Sequence, residues 1–561
     1  MYETVEVSGM VLGWCPDGRF MEDRCLSVTD ERVILFDGVL LNKHELLHER
    51  GVDSIEALLH SMMNADGVTA TLATLRGPFS GAVLDLAKNT LQVFGNHTGD
   101  TAAFLYQGTA GPLASNSFDL LMRLLDGAGQ RPTFDEHAAR MMLSYGFMTD
   151  DHTFAEEVRR ATPGSLLSVP FDGSMPAVEI EYWRLEHTPV HSNLSYDDAL
   201  ARFDQLFRTA VRRCFDKDLE YGYSHLADIS GGLDARMVNV VARDLGYGPI
   251  TNVTYSDWHS DDRRYALRLA EQLGNDSFYH PTGSGRSLLS PEAILQLNSG
   301  MCYYGSITGG FSTLQALNFS KFGLEHTGLF GGAVADTYAS SPQRRPAQPG
   351  SGANSRINIE PPGRGVSTDD EEIFIMTTRG FRGQAATYLM RSHFTFAASP
   401  FADIDVLDFA FRMPLEWRLS HRFQLDWIQA FYPHALDTPS TQILPREKRP
   451  IRTVGRFARK AMNRILVEAQ ARLNRSSEPR RLPLRFLLNN MNPADFWYAE
   501  NQAFRQLVEE AEQYADRIPI NAQTRSNLKR SLRGDGTAWD RVQAITVTTM
   551  HRMYFLSDQV R

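Results

Sequence analysis

The stretch "LADISGGLDARMV" runs from Leu226 to Val238. It closes an apolar strand at Ile229, places two glycines in succession, and opens a helix on an aspartate. Met237, Val240, Val241 and Leu245 then recur on one side of that helix. A helix N-terminus offers unpaired backbone N–H groups and the positive end of the helix dipole. Gly231 and Gly232 let the backbone approach a phosphate without a Cβ in the way, and Ser230 adds a hydroxyl donor. Asp234 repels a bare phosphate, so its presence favours a Mg²⁺ that carries the charge. The stretch therefore reads as a site for the pyrophosphate part of ATP. The plainer alternative is a strand-to-helix turn in which Asp234 serves the helix N-terminus. The glycine spacing is not that of a Walker A loop, which needs G-x-x-x-x-G-K-[ST].

Outward from this loop, strand and helix signals alternate: strand at 226–229, helix at 234–245, strand at 250–255, helix at 262–273. That alternation predicts βαβ units and a parallel sheet. Ala266, Leu269, Ala270 and Leu273 form the buried side of the second of these helices. Residues 1 to about 185 have another texture, with short apolar runs such as "RVILFDGVLL", "FSGAVLDL" and "TLQVFGN" between Gly, Asp and Asn. They predict an antiparallel sandwich or layered sheet. The polar connector "RLEHTPVHSNLS" is the predicted boundary. The domains expected are 1–188, 195–455 and a helical extension, 456–561. Within the second, 340–370 is rich in Pro, Gly, Ser and Arg, and is expected to be a mobile surface insertion. The segment 452–475 is a basic amphipathic helix, read as a solvated face before an anion-binding one.

The 561 residues are 42% hydrophobic and 22% charged, a globular composition, and the net charge of −10 argues against a nucleic-acid partner for the whole chain. Cys15, Cys25, Cys214 and Cys302 show no metal-site or dithiol spacing. With no signal-peptide pattern and no apolar run of membrane length, the expected setting is cytoplasmic, with no membrane span.

The loop resembles the S-G-G-x-D-S signature of PP-loop ATP pyrophosphatases, with Ala235 in place of the last serine and Arg236 following as a substitute source of charge. Further segments resemble asparagine synthetase and its β-lactam synthetase-like relatives. They are "ILFDGVLLNKHELL", "LRGPFSGAVLD", "TFAEEVRRATPGSLLSV" before "YW", "SDDRRYALRLAEQLG", "TGLFGGAVAD" and "SPFADIDVLDFAFRMP". The resemblance implies an α+β, Ntn-hydrolase-like antiparallel sandwich joined to an α/β PP-loop domain of the adenine nucleotide α-hydrolase type. It implies ATP and Mg²⁺ as cofactors, with Asp234 and Asp336 as metal ligands. Ser230, Gly231 and Gly232 would cradle pyrophosphate, and Thr254 and Tyr255 would pack the adenosine. In "PREKRPI", Lys448 is implied as the catalytic cation and Arg446 as a phosphate contact, where negative charge develops during acyl transfer.

The departures are as informative. Ser8 in "SGMVLG" stands where the glutamine-dependent enzymes have their terminal cysteine, so the glutaminase is expected to be degenerate. Ala333 stands where the family has a Glu or Tyr, leaving the acid/base group unassigned; the run Asp369, Asp370, Glu371, Glu372 is a weak candidate, expected to be a solvated loop. The implied activity is a biosynthetic, AMP-forming ligase that adenylates a small-molecule or peptide carboxylate and transfers it to an amine or ammonia. An intramolecular cyclase of the β-lactam synthetase or lasso-peptide type, an ATP-binding pseudoenzyme and a tRNA-modifying PP-loop enzyme stay open beside it. A homodimer is also kept open.

Overall fold

The structure is a computed structural model that describes residues 3–108, 111–187, 194–306, 310–339, 341–441, 450–476 and 478–556, with main chain alone at 450–457. It is a mixed α/β protein in which antiparallel sheets come first and a parallel sheet follows. The chain divides into two units, Met1–Asp135 with Asp150–Leu185, and Glu136–Thr149 with Glu186–Arg561. The last of the three divisions, between Leu185 and Glu186, falls inside the polar connector.

In the first unit, β1 (Glu3–Val7) and β2 (Met10–Trp14) form a hairpin whose tip is Ser8-Gly9, both at positive φ. That is the torsion pattern of a tight hairpin turn. Ser8 is exposed there, between two peptide bonds. The main sheet contains β3 (Cys25–Val28), β4 (Arg32–Gly38), β5 (Phe79–Asp85) and β6 (Thr90–Phe94). A small sheet contains β7 (Phe104–Gly108), β8 (Gly111–Ser115) and β9 (Val158–Arg160). Then β10 (Ser165–Pro170) and β11 (Val178–Glu181) complete the main sheet in the order β11-β10-β6-β5-β4-β3.

Alternation along the strands explains the layers. Ile34, Phe36, Val83, Phe94 and Leu166 pack with Leu58, Leu59, Met62 and Leu72. These last four come from α2 (Ile55–Asp66) and α3 (Val68–Thr74), which follow α1 (Lys43–Arg50). Their neighbours Val33, Leu84, Leu91, Val93, Leu167 and Val169 face the other way, onto Ala103, Leu105 and Ala161 of the small sheet's side. Both faces of the main sheet are covered, which is why its strands read as continuous apolar runs. Helix α4 (Phe118–Gly127) follows the small sheet's hairpin.

In the second unit, α5 (Glu136–Ser144) is a detached piece. Its Met142 carbonyl accepts a 2.8 Å hydrogen bond from Gln543 in the helix Ala538–Tyr554. After α6 (Tyr196–Glu220) come β12 (Ser224–Asp228), α7 (Asp234–Asp244), β13 (Ile250–Ser256), α8 (Asp261–Gln272), β14 (Asp276–Pro281), β15 (Phe322–His326) and β16 (Ala397–Ala398). All five strands are parallel, in the order β14-β13-β12-β15-β16. The chain leaves β12 on one side and returns to β15 on the other. Such a reversal opens a crevice at the carboxyl ends of the two strands, where ligands of open α/β sheets bind.

The described part of 340–370 makes polar contacts at several points. The Ser355 hydroxyl donates to Asp540 (2.5 Å), Asn358 Nδ2 to the Ser531 hydroxyl (2.9 Å), and the Gly363 amide to the Thr149 hydroxyl (2.9 Å), while Glu360 O accepts from Tyr145 (3.0 Å). Polar pairing replaces the apolar burial that its composition lacks. The helix Pro450–Leu473 runs through residue 455, and the helices after it belong to the same compact unit as the parallel sheet. Among the described residues no helix is long and apolar enough to cross a membrane.

Candidate functional site

The loop of residues 230–233 joins β12 to α7 at the crevice. The Ser230 hydroxyl accepts from the Gly232 amide (3.2 Å). The Gly231 amide donates to Asp262 Oδ1 (3.2 Å), near the start of α8, so one loop donor already faces a carboxylate. The Gly231 carbonyl accepts from the Thr441 amide (2.8 Å) and the Ser440 hydroxyl (3.0 Å). A Cβ on Gly231 would lie 2.5 Å from Thr441 Cγ2, so this approach needs glycine.

Asp234 and Asp336 are brought together. Asp234 is half-buried, its Oδ1 accepts from Gln424 Nε2 (2.9 Å), and desolvation lifts its pKa to about 6 against the help of Gln424, His421 and the Gly332 amide, with Asp336 adding repulsion. Asp336 Oδ1 accepts from the His421 amide (2.9 Å), and Oδ2 lies 2.9 Å from His421 Nδ1. That contact raises the His421 pKa, with burial opposing it. Ser420 and His421 both have left-handed torsions, φ 58° and 60°, an uncommon conformation for residues with a Cβ and one that holds the imidazole against Asp336.

The wall facing Asp234 is made of glycine. A Cβ on Gly331 would lie 2.5 Å from Asp234 Cβ and 2.6 Å from its Cγ; on Gly332 it would lie 3.4 Å from Oδ2. Asp234 in this glycine cradle, with Asp336 beside it, could hold a hard cation such as Mg²⁺ that takes further oxygen ligands from a bound phosphate.

Behind the pair, Arg418 donates to the carbonyls of Ala333 (3.1 Å) and Asp336 (3.0 Å) and to Glu372 (2.9 Å). Glu372 also accepts from the Thr337 hydroxyl. Asp369 is exposed, but 370–372 are not a solvated loop: Asp370 caps the helix Glu371–Ile375, Glu371 is paired with Arg345, and Glu372 is buried under the turn that carries Asp336.

Arg236 takes a different role from the one expected. It is fully buried, and its guanidinium donates to the carbonyls of Ala435 (2.8 Å), Thr438 (2.6 Å) and Pro439 (2.9 Å). Its charge braces the segment behind the loop instead of facing a phosphate. Thr254 and Tyr255 are successive residues of β13 and point to opposite faces, so they cannot line one adenosine pocket together. Lys448 and Arg446 lie outside the described residues. Sequence reasoning missed His421, Gln424 and Asp262. Asp262 lies in the quoted segment "SDDRRYALRLAEQLG" but is given no role there, and no motif marks His421 or Gln424; each reaches the site only through tertiary packing.

No protein-family model and no curated protein matches the chain. Among solved structures it is similar to the glutamine phosphoribosylpyrophosphate amidotransferase of B. subtilis, complexed with ADP and GMP. The identity is 10%, over 46% of this chain and 62% of that one, with a TM-score of 0.21. It is also similar to a structure described as the allosteric regulatory enzyme of purine biosynthesis, at 11% identity over 46% and 62% of the two chains and a TM-score of 0.21. This chain thus spans less than two thirds of the length of either.

Proposed function

We propose that the protein is an ATP-dependent, amide-forming ligase of the asparagine synthetase and β-lactam synthetase type, with a degenerate class II glutaminase domain in its first unit. The observation that carries this reading is the meeting of Asp234 and Asp336 beside a glycine loop, at the carboxyl edge of a parallel sheet.

In this reading Asp234 and Asp336 hold Mg²⁺, which neutralises phosphate charge when bound. Ser230, Gly231 and Gly232 receive the pyrophosphate part of ATP, and Asp262 yields the Gly231 amide to it. The substrate carboxylate, of a small molecule or a peptide, attacks the α-phosphorus, and pyrophosphate leaves. An amine or ammonia then takes the acyl group and AMP leaves. Arg418 and Glu372 keep the Asp336 turn in place, and Lys448 with Arg446 supplies the cation of the acyl-transfer step. The exposed hairpin position of Ser8, a hydroxyl in place of a thiolate, supports an ammonia or amine source other than glutamine hydrolysis by this chain.

Calorimetric titration of ATP with Mg²⁺ into the native protein and an Asp234→Ala variant tests the reading, followed by ATP–pyrophosphate exchange across a panel of carboxylates. Binding lost in the variant, and exchange with at least one carboxylate, are expected. Folded protein that binds no nucleotide, with or without carboxylates present, points instead to a pseudoenzyme, the reading that Ala235, Ala333 and the occupied Gly231 amide favour.

A further inference from the structure

A second carboxylate pair lies on the sheet itself. Asp228 ends β12, one residue before Ile229 and the glycine loop. Glu325 in β15 pairs with Leu226, and Val253 in β13 pairs with Asp228. Side chains two residues apart share a face, so Asp228, Glu325 and Tyr255 point to the same side of the sheet. Arg391, at the end of the helix Ala386–Arg391, covers them. It donates to Glu325, lies 3.5 Å from Asp228 Oδ2, and reaches the Tyr255 hydroxyl at 3.4 Å. The Glu325 and Arg391 side chains are only 3% and 6% exposed, whereas Asp228 keeps 21% of its surface at the open end of the cluster.

One cation thus faces two carboxylates. Asp228 Oδ1, Glu325 Oε2 and Arg391 Nε are buried with no hydrogen-bond partner. A packed helix-to-sheet clamp satisfies its polar atoms; this one leaves two carboxylate oxygens without a donor. A second carboxylate in the same low-dielectric setting disfavours the anionic form of Asp228. Burial pushes the Asp228 carboxyl well above the usual range; Arg391 opposes the shift and Glu325 adds to it. The other titratable groups facing the cluster are Tyr255 and Tyr388, whose hydroxyls are held un-ionised at neutral pH or engaged with Thr327.

We propose that Asp228, backed by Glu325 and held by Arg391, is the proton acceptor for the amine co-substrate, the role that Ala333 cannot fill. The proposal rests on the ligase reading. Asp228 gives up its proton to solvent as a cationic amine enters. One ammonium proton then passes to the Asp228 carboxylate, and the freed lone pair attacks the acyl carbon of the adenylate. The C–N bond forms, the bond from that carbon to the phosphate oxygen breaks, and AMP leaves with the electron pair. The second amine proton goes to solvent.

The first test needs no substrate: urea unfolding of the full chain and of Asp228→Asn between about pH 5 and 9. A carboxyl with a folded pKa above its unfolded value stabilises at low pH, and that contribution is lost as pH rises through the folded pKa. The wild type should therefore lose stability across this range relative to the variant. Parallel curves mean that Asp228 holds no proton in this range and overturn the proposal.

The second test compares pyrophosphate exchange with amide formation from ammonium chloride, in Asp228→Asn and Glu325→Gln. Exchange is expected to stay near wild type while amide formation from ammonium falls about 100-fold or more in Asp228→Asn, with partial recovery in Asp228→Glu. Equal loss of both activities makes the cluster structural and overturns the role. If no carboxylate supports exchange in the wild type, the ligase reading fails and takes the catalytic role with it, whatever the pH curves show.

Discussion

Asp218 is fully buried and Asp234 half-buried in the second unit, and their surroundings drive them in opposite directions. Asp218, on α6, accepts from the Leu324 amide (2.8 Å), His225 Nδ1 (2.8 Å) and His326 Nε2 (2.7 Å). Burial pushes its pKa up, but the two histidines outweigh burial and hold it below the usual carboxylate range. Asp234 has Gln424, a backbone amide and the more distant His421, and Asp336 repels it; burial wins and its pKa rises. A buried carboxylate saturated with donors is framework, joining α6 to the sheet. One left short of donors is stabilised only when something positive arrives. The difference separates scaffold from site without reference to any motif.

The comparison can be broken where the effect should be largest. Asp218→Ala strips the acceptor from three buried donors at once and is expected to cost about 3–5 kcal/mol in urea unfolding. A loss under ~1 kcal/mol would mean that the histidine clamp is not structural. Arg418→Met should cost about 3 kcal/mol by the same measurement, because it leaves Glu372 charged, buried and short of its main partner.

Asp234→Asn should behave in the opposite way to Asp218→Ala. Stability stays within about 1 kcal/mol of wild type or rises, while calorimetric affinity for ATP with Mg²⁺ drops about 100-fold, or ~2.7 kcal/mol. An Asp234→Asn protein as unstable as Asp218→Ala would erase the distinction. Gly331→Ala pushes a methyl against Asp234 and should cost about 1–3 kcal/mol in thermal or urea unfolding, with weaker nucleotide binding.

The smallest effect is the pH dependence of the clamp. Because the folded pKa of Asp218 is depressed, its contribution is present above the unfolded value of about 4 and is lost as pH falls through the folded one. Acid unfolding followed below about pH 4 should therefore be steeper for the wild type than for Asp218→Asn, by about 1.4 kcal/mol per unit of depression.

Much of the fold could be read in the residues. The alternation of apolar runs after residue 224 corresponds closely to β12, α7, β13 and α8, since each element has its own hydrophobic period. The double-faced runs of the first unit correspond to a sheet covered on both sides. Less legible were the places where polar groups do the packing. The Ser355 and Asn358 side chains pin an apolar-poor segment, and Arg236 is consumed by three carbonyls, because a hydrogen bond to distant backbone leaves no periodic trace.

By itself, then, the sequence determined which segments become strands and helices, and that Ser230 to Asp234 form a strand-to-helix loop. Those properties depend on side-chain periodicity and on glycine, which are local. Only the tertiary structure decided that Asp336 and His421 stand against Asp234, that Thr254 and Tyr255 face apart, and that Asp228 meets Glu325 beneath Arg391. Charges interact through space rather than along the chain, so their pairing, and the proton positions it sets, exist only once the sheet and its covering helices have assembled.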